Sequence, residues 1–454
     1  MDRPRLLGPG AAGLSGPHQA DSLPRMRVRP CVLAFPAMLA LASCSAETRI
    51  PPPAPIALAP VVTLAAGSCP APVRQPPIKC SLRSPIVCKG VTVSPADASE
   101  LSRRPDRDKI RLVLLNGASE DGFASVANLD WLTELRIESL EGIGDLSPLA
   151  GLKSLKRLEI VGGLRPPASL SVLARLPQLE ELSIHLEDDA QDVSELAALQ
   201  GIRRLSLDRL KELAPLGRIL PGLAALTELK VGGYDIQDVS PLAGARQIKK
   251  LDISFTSASN VTALGSLASL EELNLTGTRV EDLSPIARLS NLQGLELSMC
   301  KRIRDFKPLS RLGKLKSIDL ADTRIASLDP LSGLPSLKEI IAQETEISQL
   351  AALAKSCTIE SLNLADTPVS NLGPLASCAQ LTELDLRGSR VASLSALAQL
   401  QTLESLDVRE TAVRDLSPLA GLSALEMVQA PRSVATQGVD ALRASHPDID
   451  LSLE

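Results

Sequence analysis

The chain has 454 residues, 44% of them hydrophobic, and a formal net charge of −5 at neutral pH. Its apolar residues are nearly all Leu, Ile, Val and Ala, whereas aromatic residues make up only 1%. A nucleic-acid-binding protein needs a basic surface, which this charge balance disfavours. Three histidines (His18, His185 and His446) leave little material for a metal site or a histidine-based active site. We therefore expect a large aliphatic core, no cofactor, no metal and no nucleic-acid partner.

The first predicted element is the apolar segment "MRVRPCVLAFPAMLALASCS" at 26–45. Two arginines precede an apolar run of roughly twelve residues, which is too short to span a bilayer. The segment resembles a bacterial lipoprotein signal, in which small residues ("LAS" here) precede a cysteine that is lipidated, here Cys44. The first 25 residues have no apolar run and do not fit a signal, which favours Met26 as the true start. By the same resemblance, Ser45 implies sorting to the outer membrane. An ordinary cleaved signal peptide is the alternative.

The next segment, 45–79, contains "RIPPPAPIALAP" and "CPAPVRQPPIKC". It is rich in proline and lacks a periodic apolar face, as is typical of a semi-extended tether.

One pattern then recurs along most of the chain, as in "LESLDVRETAVRDLSPLAGLSA" at 403–424. Alternation within "ELDL" at 383–386 predicts a short strand whose leucines point inward. Because a complete coil separates successive strands, the strands must run parallel. The central apolar residues recur every 22 to 24 positions, at Leu112, Leu135, Leu158, Leu182, Leu205, Leu229, Leu251, Leu273, Leu295, Ile318, Ile340, Leu362, Leu384, Leu406 and Val428.

This repetition resembles the leucine-rich repeats of bacterial internalin-like proteins over roughly residues 105–435. The resemblance implies an α/β fold, namely a right-handed solenoid with a parallel concave β-sheet and short helical or 3-10 turns on the convex side. Where the family usually has Asn, this chain has Thr or Ser, whose hydroxyl should bond the backbone at the strand end. These residues are Thr278, Thr323, Thr345, Thr367, Ser389 and Thr411.

In "DLSPLA" (415–420), Ser should cap a helical turn and Pro should be its first residue. A terminal helix and a last strand are expected within 439–453. The predicted organisation is a signal region at 1–44, a tether at 45–79, an N-terminal cap at 80–108, repeats at 109–430 and a C-terminal cap at 431–454.

An exported chain meets oxidising conditions, so its cysteines are disulfide candidates. Cys80 and Cys88 bracket a short loop before the repeats, which makes them the favoured pair. Cys357 and Cys378 occupy nearly equivalent places in successive repeats, where either a bridge or two free thiols is expected.

The residue after each repeat centre should point outward and form a row along the concave sheet. Between Leu251 and Val428, the outward positions carry twelve acids against three bases, a charge of −9. A surface of one sign favours cationic partners, which predicts binding of a basic protein or peptide. A merely solubilising surface and a Ca²⁺ site are the alternatives, although Ca²⁺ requires six to eight convergent oxygens. The candidate ligand-binding residues are Asp252, Asn274, Glu296, Asp319, Asn363, Asp385 and Asp407, joined by Phe255.

Phe255 and Tyr234 fall on adjacent coils, where they form either an exposed apolar patch or part of the core. Strong receptor binding usually needs more exposed aromatic residues than this chain has.

The sequence has no HExxH, no phosphate-binding Gly-rich loop, no CxxC and no GxSxG motif. Ser183, His185, Ser206 and Asp208 should share a patch with the minimal groups for nucleophilic catalysis, although polar surface is the simpler interpretation. We expect a non-catalytic protein-binding or scaffold lipoprotein of the bacterial cell envelope. A passive envelope spacer and a hydrolase using the His185 cluster are the alternatives.

Overall fold

The computed structural model describes most of the chain from residue 79 onward. The predicted signal region with Cys44, and the predicted tether except Lys79, lie outside the described residues. The described residues are 79–80, 86–90, 101, 103, 110–116, 123–139, 143–164, 169–186, 193–354 and 357–454.

The described strands form one sheet in which each strand pairs with its successor along the chain. β1 is antiparallel to β2, and all later neighbours are parallel. The strands are β1 (Lys79–Cys80), β2 (Ile86–Gly90), β3 (Ile110–Asn116), β4 (Glu134–Ser139), β5 (Arg157–Leu164), β6 (Glu181–Leu186), β7 (Arg204–Asp208), β8 (Glu228–Val231), β9 (Lys250–Asp252), β10 (Glu272–Asn274), β11 (Gly294–Glu296), β12 (Ser317–Asp319), β13 (Glu339–Ile341), β14 (Ser361–Asn363), β15 (Glu383–Asp385), β16 (Ser405–Asp407), β17 (Met427–Ala430) and β18 (Asp450–Leu453).

The register of this sheet confirms the predicted strand centres from Leu135 to Val428, each of which pairs with the next. The first centre is wrong, because the partner of Leu135 is Val113 rather than Leu112. In "IRLVLLN" apolar residues occupy both alternating sets of positions, so the pattern does not specify the register.

A coil consists of one strand and its return path, and most return paths contain a 3-10 helix. Leu394, Leu397, Leu400 and Leu403 are all buried and lie three residues apart, which matches the three residues per turn of a 3-10 helix. The 3-10 helices are Ser125–Asn128, Ser147–Gly151, Leu170–Arg175, Val193–Ala198, Leu220–Gly222, Ser240–Gly244, Thr262–Ser266, Ile286–Arg288, Lys307–Arg311, Asp329–Leu331, Ala351–Leu353, Gly373–Ser377, Ser395–Leu397 and Ser417–Leu419.

The α-helices whose bounds the structure describes are α1 (Ala214–Ile219) and α2 (Thr436–Ser445). Helix α2 followed by β18 matches the predicted terminal helix and last strand, with the helix beginning three residues earlier than expected. No helix within the described part of the chain is long and apolar enough to cross a membrane.

The predicted threonine positions behave as expected at the strand ends. The Thr367 hydroxyl donates to the Leu364 carbonyl at 2.6 Å, and Thr278 makes the equivalent bond at 2.7 Å. Cys300 occupies the same position in its coil, where its thiol donates to the Leu275 carbonyl. The same hydroxyl-to-carbonyl bond is made by Thr256, Thr323, Thr345 and Thr411.

Ser389 is the exception among these positions. Its buried hydroxyl has no hydrogen-bond partner in the described structure. Among the described groups, the Leu386 carbonyl accepts only the backbone N–H of Ser389, at 3.0 Å, whereas the Leu275 carbonyl accepts both the N–H and the hydroxyl of Thr278.

The predicted serine caps are wrong in detail. In 415–420 the 3-10 helix begins at Ser417 itself, so the Ser417 N–H needs an acceptor and the Ser417 side chain cannot cap from outside. Asp415 accepts that N–H at 2.9 Å and also accepts the Ser417 hydroxyl at 2.8 Å. Asp145 and Asp238 do the same for Ser147 and Ser240. The proline does lie in the first turn, as expected.

The chain turns away from the sheet through one residue with a left-handed backbone, four positions after the strand centre. The non-glycine φ values there run from 52° to 64°. Such values are unfavourable for most side chains, so this position carries local strain in many coils. The residues are Arg209, Phe255, Gly277, Met299, Asp322, Glu344, Asp366, Gly388 and Glu410.

The structure joins Cys357 and Cys378 by a disulfide across neighbouring coils, with Cα atoms 4.9 Å apart. Cys80 lies directly opposite Cys88 in the β1–β2 pair. The bridge between those two cysteines therefore stays a prediction that the backbone register favours.

Candidate binding face

The parallel strands place two rows of side chains on the face opposite the core. The first row is the residue before each buried strand centre, and the second row is the residue after it. In-register pairing stacks both rows from strand to strand at about 4.8 Å. The charge of this face therefore depends on which residue types become neighbours across strands.

The first row alternates in charge along β4 to β10. Arg157 pairs with Glu134 at 3.0 Å and with Glu181 at 2.6 Å. Further along, Lys250 pairs with Glu272 at 2.8 Å. Each exposed pair contributes little stability, but the alternation leaves this half of the face nearly neutral. The alternating residues are Glu134, Arg157, Glu181, Arg204, Glu228, Lys250 and Glu272.

The second row holds most of the predicted ligand-binding residues. In the structure, most of their side chains hydrogen-bond to the backbone at the strand end. The Asp385 Oδ1 accepts the backbone N–H of Arg387 at 3.0 Å, which closes the turn at the strand end. Both Asn and Asp occur in this row and make the same bond, because the turn needs a side-chain oxygen rather than a charge. The same bond, 2.8 to 3.0 Å long, is made by Asp252, Asn274, Asp319, Asn363, Asp385 and Asp407.

Both ends of the predicted acidic row are neutralised. Asp252 lies 3.3 Å from the Lys230 ammonium. At the other end, Asp407 accepts from Arg409 Nη2 at 2.7 Å, while Arg409 Nη1 reaches Glu454 at 2.8 Å. Asp252 and Asp407 therefore have less free charge for a ligand than the sequence suggested.

In the two rows between these ends, Glu296, Asp319, Glu339, Glu383 and Asp385 have no Lys or Arg within ion-pair distance among the described residues. We call Glu296, Asp319, Glu339 and Asp385 the acidic strip. Burial raises the pKa of Asp319, and burial together with the charges of Glu383 and Asp319 raises the pKa of Glu339.

The two ends of the acidic strip behave in the same way. Glu296 is exposed by surface area, yet the adjacent coils restrict water around its carboxylate and raise its pKa, with Asp252 and Asp319 adding repulsion. Burial raises the pKa of Asp385 as well. A positive charge brought to this strip would stabilise the ionised carboxylates and so offset both the desolvation and the repulsion.

Three large apolar side chains are exposed near the first part of the strip. Tyr234, Phe255 and Met299 have exposed fractions of 80%, 45% and 47%. A Cβ on Gly277 would lie 2.8 Å from the Phe255 ring, so the ring covers that glycine. Core filling, the alternative for Tyr234 and Phe255, is therefore wrong. We call Phe255, Gly277 and Met299 the apolar row.

The four residues of the candidate catalytic cluster lie on adjacent strands, but their side chains are not joined by hydrogen bonds in the described structure. Strands β6 and β7 place Ser183 opposite Ser206 and His185 opposite Asp208. No hydrogen bond joins any two of these side chains in the described structure. Instead, the Asp208 carboxylate lies close to Gly232, so that a Cβ added to Gly232 would be 2.6 Å from Asp208 Oδ1. The geometry therefore provides no relay from hydroxyl to imidazole to carboxylate.

Across the described ranges, no group of three or more His, Cys, Asp or Glu side chains is placed to hold a metal ion. Two other predicted site residues, Asn274 and Asn363, are half-buried and close turns at strand ends, and Cys44 is outside the described residues.

No protein-family model matches the chain, and no curated protein matches it by sequence. Solved leucine-rich repeat structures do match its fold. An internalin from Listeria monocytogenes matches at a TM-score of 0.53 with 22% identity, covering 67% of this chain and 88% of its own. The protein is thus a leucine-rich repeat solenoid.

Two further matches are complexes with different classes of ligand. The Toll–Spatzle complex of Drosophila matches at a TM-score of 0.62 with 15% identity, covering 85% of this chain and 56% of its own. A TLR13–ssRNA13 complex matches at 0.58 with 21% identity, covering 77% and 58%. The fold therefore does not choose between a protein ligand and a nucleic acid.

Proposed function

We propose that the protein is a non-catalytic binding scaffold of the bacterial cell envelope, anchored through lipid on Cys44. Its ligand is a protein or peptide whose contact surface combines basic and apolar side chains. The ligand lies on the concave face, across the apolar row and the acidic strip.

One observation carries this proposal: carboxylates without cationic partners lie beside exposed apolar side chains on the same face. Asp319 and Glu339 have raised pKa values and no ion-pair partner in the described structure, whereas the first row of β4 to β10 is neutralised internally. Phe255 and Met299 add apolar area of the kind that binding hot spots use.

The sign of the charge selects a protein over a nucleic acid. Nucleic-acid binding gains affinity by neutralising phosphates with Lys and Arg, which the acidic strip does not contain. A basic polypeptide gains electrostatic steering from the same strip. The Toll–Spatzle match supports a protein ligand at the level of the fold alone.

The binding test uses site-specific photocrosslinking in intact cells, with the crosslinker at Gln343 on the sheet side or at Arg175 on a convex turn. We expect a discrete crosslinked protein from Gln343 and none in common with Arg175. The variant Glu296→Gln/Asp319→Asn/Glu339→Gln should abolish this product, because Asn preserves the turn bond while the charge is lost.

The matched control neutralises three exposed acids elsewhere, with Glu212→Gln, Glu346→Gln and Asp440→Asn. It should leave the crosslinked product unchanged. Identical products from Gln343 and Arg175, or no saturable product at all, would instead support a passive envelope spacer.

The anchor has its own test. Cys44→Ser should move the protein from the membrane fraction to the soluble fraction, because the lipid would be missing. Cys31→Ser changes the other cysteine of the same segment and should leave the protein in the membrane fraction. Membrane association that survives Cys44→Ser would refute the lipid anchor.

A further inference from the structure

A second surface lies at the C-terminal end of the solenoid and borders the acidic strip at Glu383. It is an open groove of about 790 Å³ between the starts of β15 to β18 and the connection from α2 to β18. Five carboxylates line it, and Met427 forms part of its floor. The carboxylates belong to Glu383, Glu404, Glu426, Asp448 and Asp450.

Earlier coils neutralise the corresponding positions across strands. Two residues before the strand centre, Lys249 pairs with Glu271 at 2.7 Å, and Lys338 pairs with Glu360. Glu404 and Glu426 occupy the same position in the last coils and have no ion pair among the described residues. No Lys or Arg lines the groove. The compensation found in earlier coils therefore stops where the groove begins.

The floor of the groove is apolar. Met427 is 39% exposed and stands in the first row, where the three preceding coils carry Ser361, Glu383 and Ser405. Ile449 is half-buried beside it. A methionine side chain adapts its shape to varied apolar partners, so the floor is suited to an apolar side chain of a ligand.

The wall of the groove is held by several hydrogen bonds. His446 Nε2 lies 2.6 Å from the Leu422 carbonyl, and the His446 N–H donates to Leu442 at 2.9 Å. The Asp450 N–H donates to the Glu426 carbonyl at 2.9 Å. The groove is therefore preformed, which reduces the ordering cost of binding.

We propose that this groove binds a cationic amphipathic segment of a partner protein, with Lys or Arg side chains at the carboxylate rim and an apolar side chain on Met427. Charge complementarity selects this occupant, because the rim is uniformly negative and its floor apolar. A bare metal ion is disfavoured, because no group of carboxylates in the described structure is placed to hold one. The groove borders the acidic strip at Glu383, but no residue of the strip lines it, so the two proposals are tested on different residues.

The test measures binding of labelled synthetic peptides to the full chain at about 150 mM salt, where long-range attraction is screened. One peptide combines Lys and Leu, a second has the same number of Lys but Ser in place of Leu, and a third replaces Lys by Glu. We expect saturable binding of the Lys/Leu peptide, weaker binding of the Lys/Ser peptide and none of the Glu peptide.

Variants then locate the site. Glu404→Gln/Glu426→Gln should weaken the Lys/Leu peptide at least about tenfold, because two of the rim charges are lost. Glu212→Gln/Glu346→Gln makes the same charge change at exposed acids outside both the groove and the acidic strip, and should leave the affinity within about twofold. Met427→Ser should remove the preference for Leu over Ser in the peptide.

Equal weakening by the two double variants would overturn the proposal, since attraction would then come from overall charge. Absence of saturable binding up to about 1 mM peptide would overturn it as well. Carbodiimide coupling of the bound peptide, mapped by mass spectrometry, should join its lysines to Glu404 or Glu426.

Discussion

The buried threonine at each strand end allows a sharp test of what holds a coil together. Thr367→Val keeps the side-chain shape but removes the 2.6 Å bond to the Leu364 carbonyl. No other described group donates to that carbonyl, so the substitution leaves a buried acceptor unpaired. An unpaired buried acceptor costs about 1–3 kcal/mol, more than the roughly 0.5–1.5 kcal/mol of an average hydrogen bond.

The next coil provides the control. Ser389 occupies the same position, but its buried hydroxyl has no partner in the described structure. Ser389→Ala therefore loses no hydrogen bond and should cost at most about 0.5 kcal/mol. Thr367→Ser keeps the hydroxyl and should recover most of the loss caused by valine.

Urea unfolding of the full chain, followed by circular dichroism, measures these free energies. Hydrogen exchange of the backbone around Leu364 then shows whether the loss is local to the affected coil. Equal losses for Thr367→Val and Ser389→Ala would refute the reasoning, because only packing would then matter at this position.

Three further predictions concern charge and backbone strain. Burial raises the pKa of Glu296 above its usual 4.5, so the folded state holds that proton more tightly than the unfolded state. Unfolding free energy of the wild type should therefore fall, relative to Glu296→Gln, as pH rises above 4.5; parallel pH curves would contradict this. Arg157→Glu breaks two ion pairs and places three carboxylates in adjacent register, costing about 0.5–2 kcal/mol in low salt and less in high salt. Arg175→Glu on a convex turn should cost little, and a salt-independent loss for Arg157→Glu would rule out electrostatics. Glu344 has φ of 56°, so thermal unfolding should show a loss of about 1–2 kcal/mol for Glu344→Val and nearly none for Glu344→Gly. Equal losses for valine and glycine would mean that the left-handed backbone is not the cause.

Much of the fold was predictable because a single rule repeats. The Leu-x-x-Leu-x-Leu spacing specifies strand, buried centre and coil length together, so one correct register propagates to the next coil. The predicted register was wrong at Leu112, because "IRLVLLN" has apolar residues at both alternating sets of positions. Pairing with the neighbouring coil then decides which set faces the core.

The site was less predictable because one residue type has several roles. From the sequence alone, an Asp after a strand centre is interpreted as a charge that is free to bind a ligand. In the structure, however, the Asp385 carboxylate accepts a hydrogen bond from the Arg387 N–H. Ion pairing across strands could have been predicted from the sequence, because residues 22 to 24 positions apart become neighbours. Glu134, Arg157 and Glu181 are an example. Arg409 could not be placed in this way, because its second partner, Glu454, lies 45 residues away.

The strand-end bonds have a consequence for how such a chain is inherited. Asp385 bonds the Arg387 N–H and Thr367 bonds the Leu364 carbonyl, so these closures are complete within single coils. Duplication or loss of one such coil therefore preserves the closures within the remaining coils and changes only the length of the face. Cys357 and Cys378 are different, because their disulfide joins two coils. Those two coils form a unit that genetic rearrangement must keep or discard together.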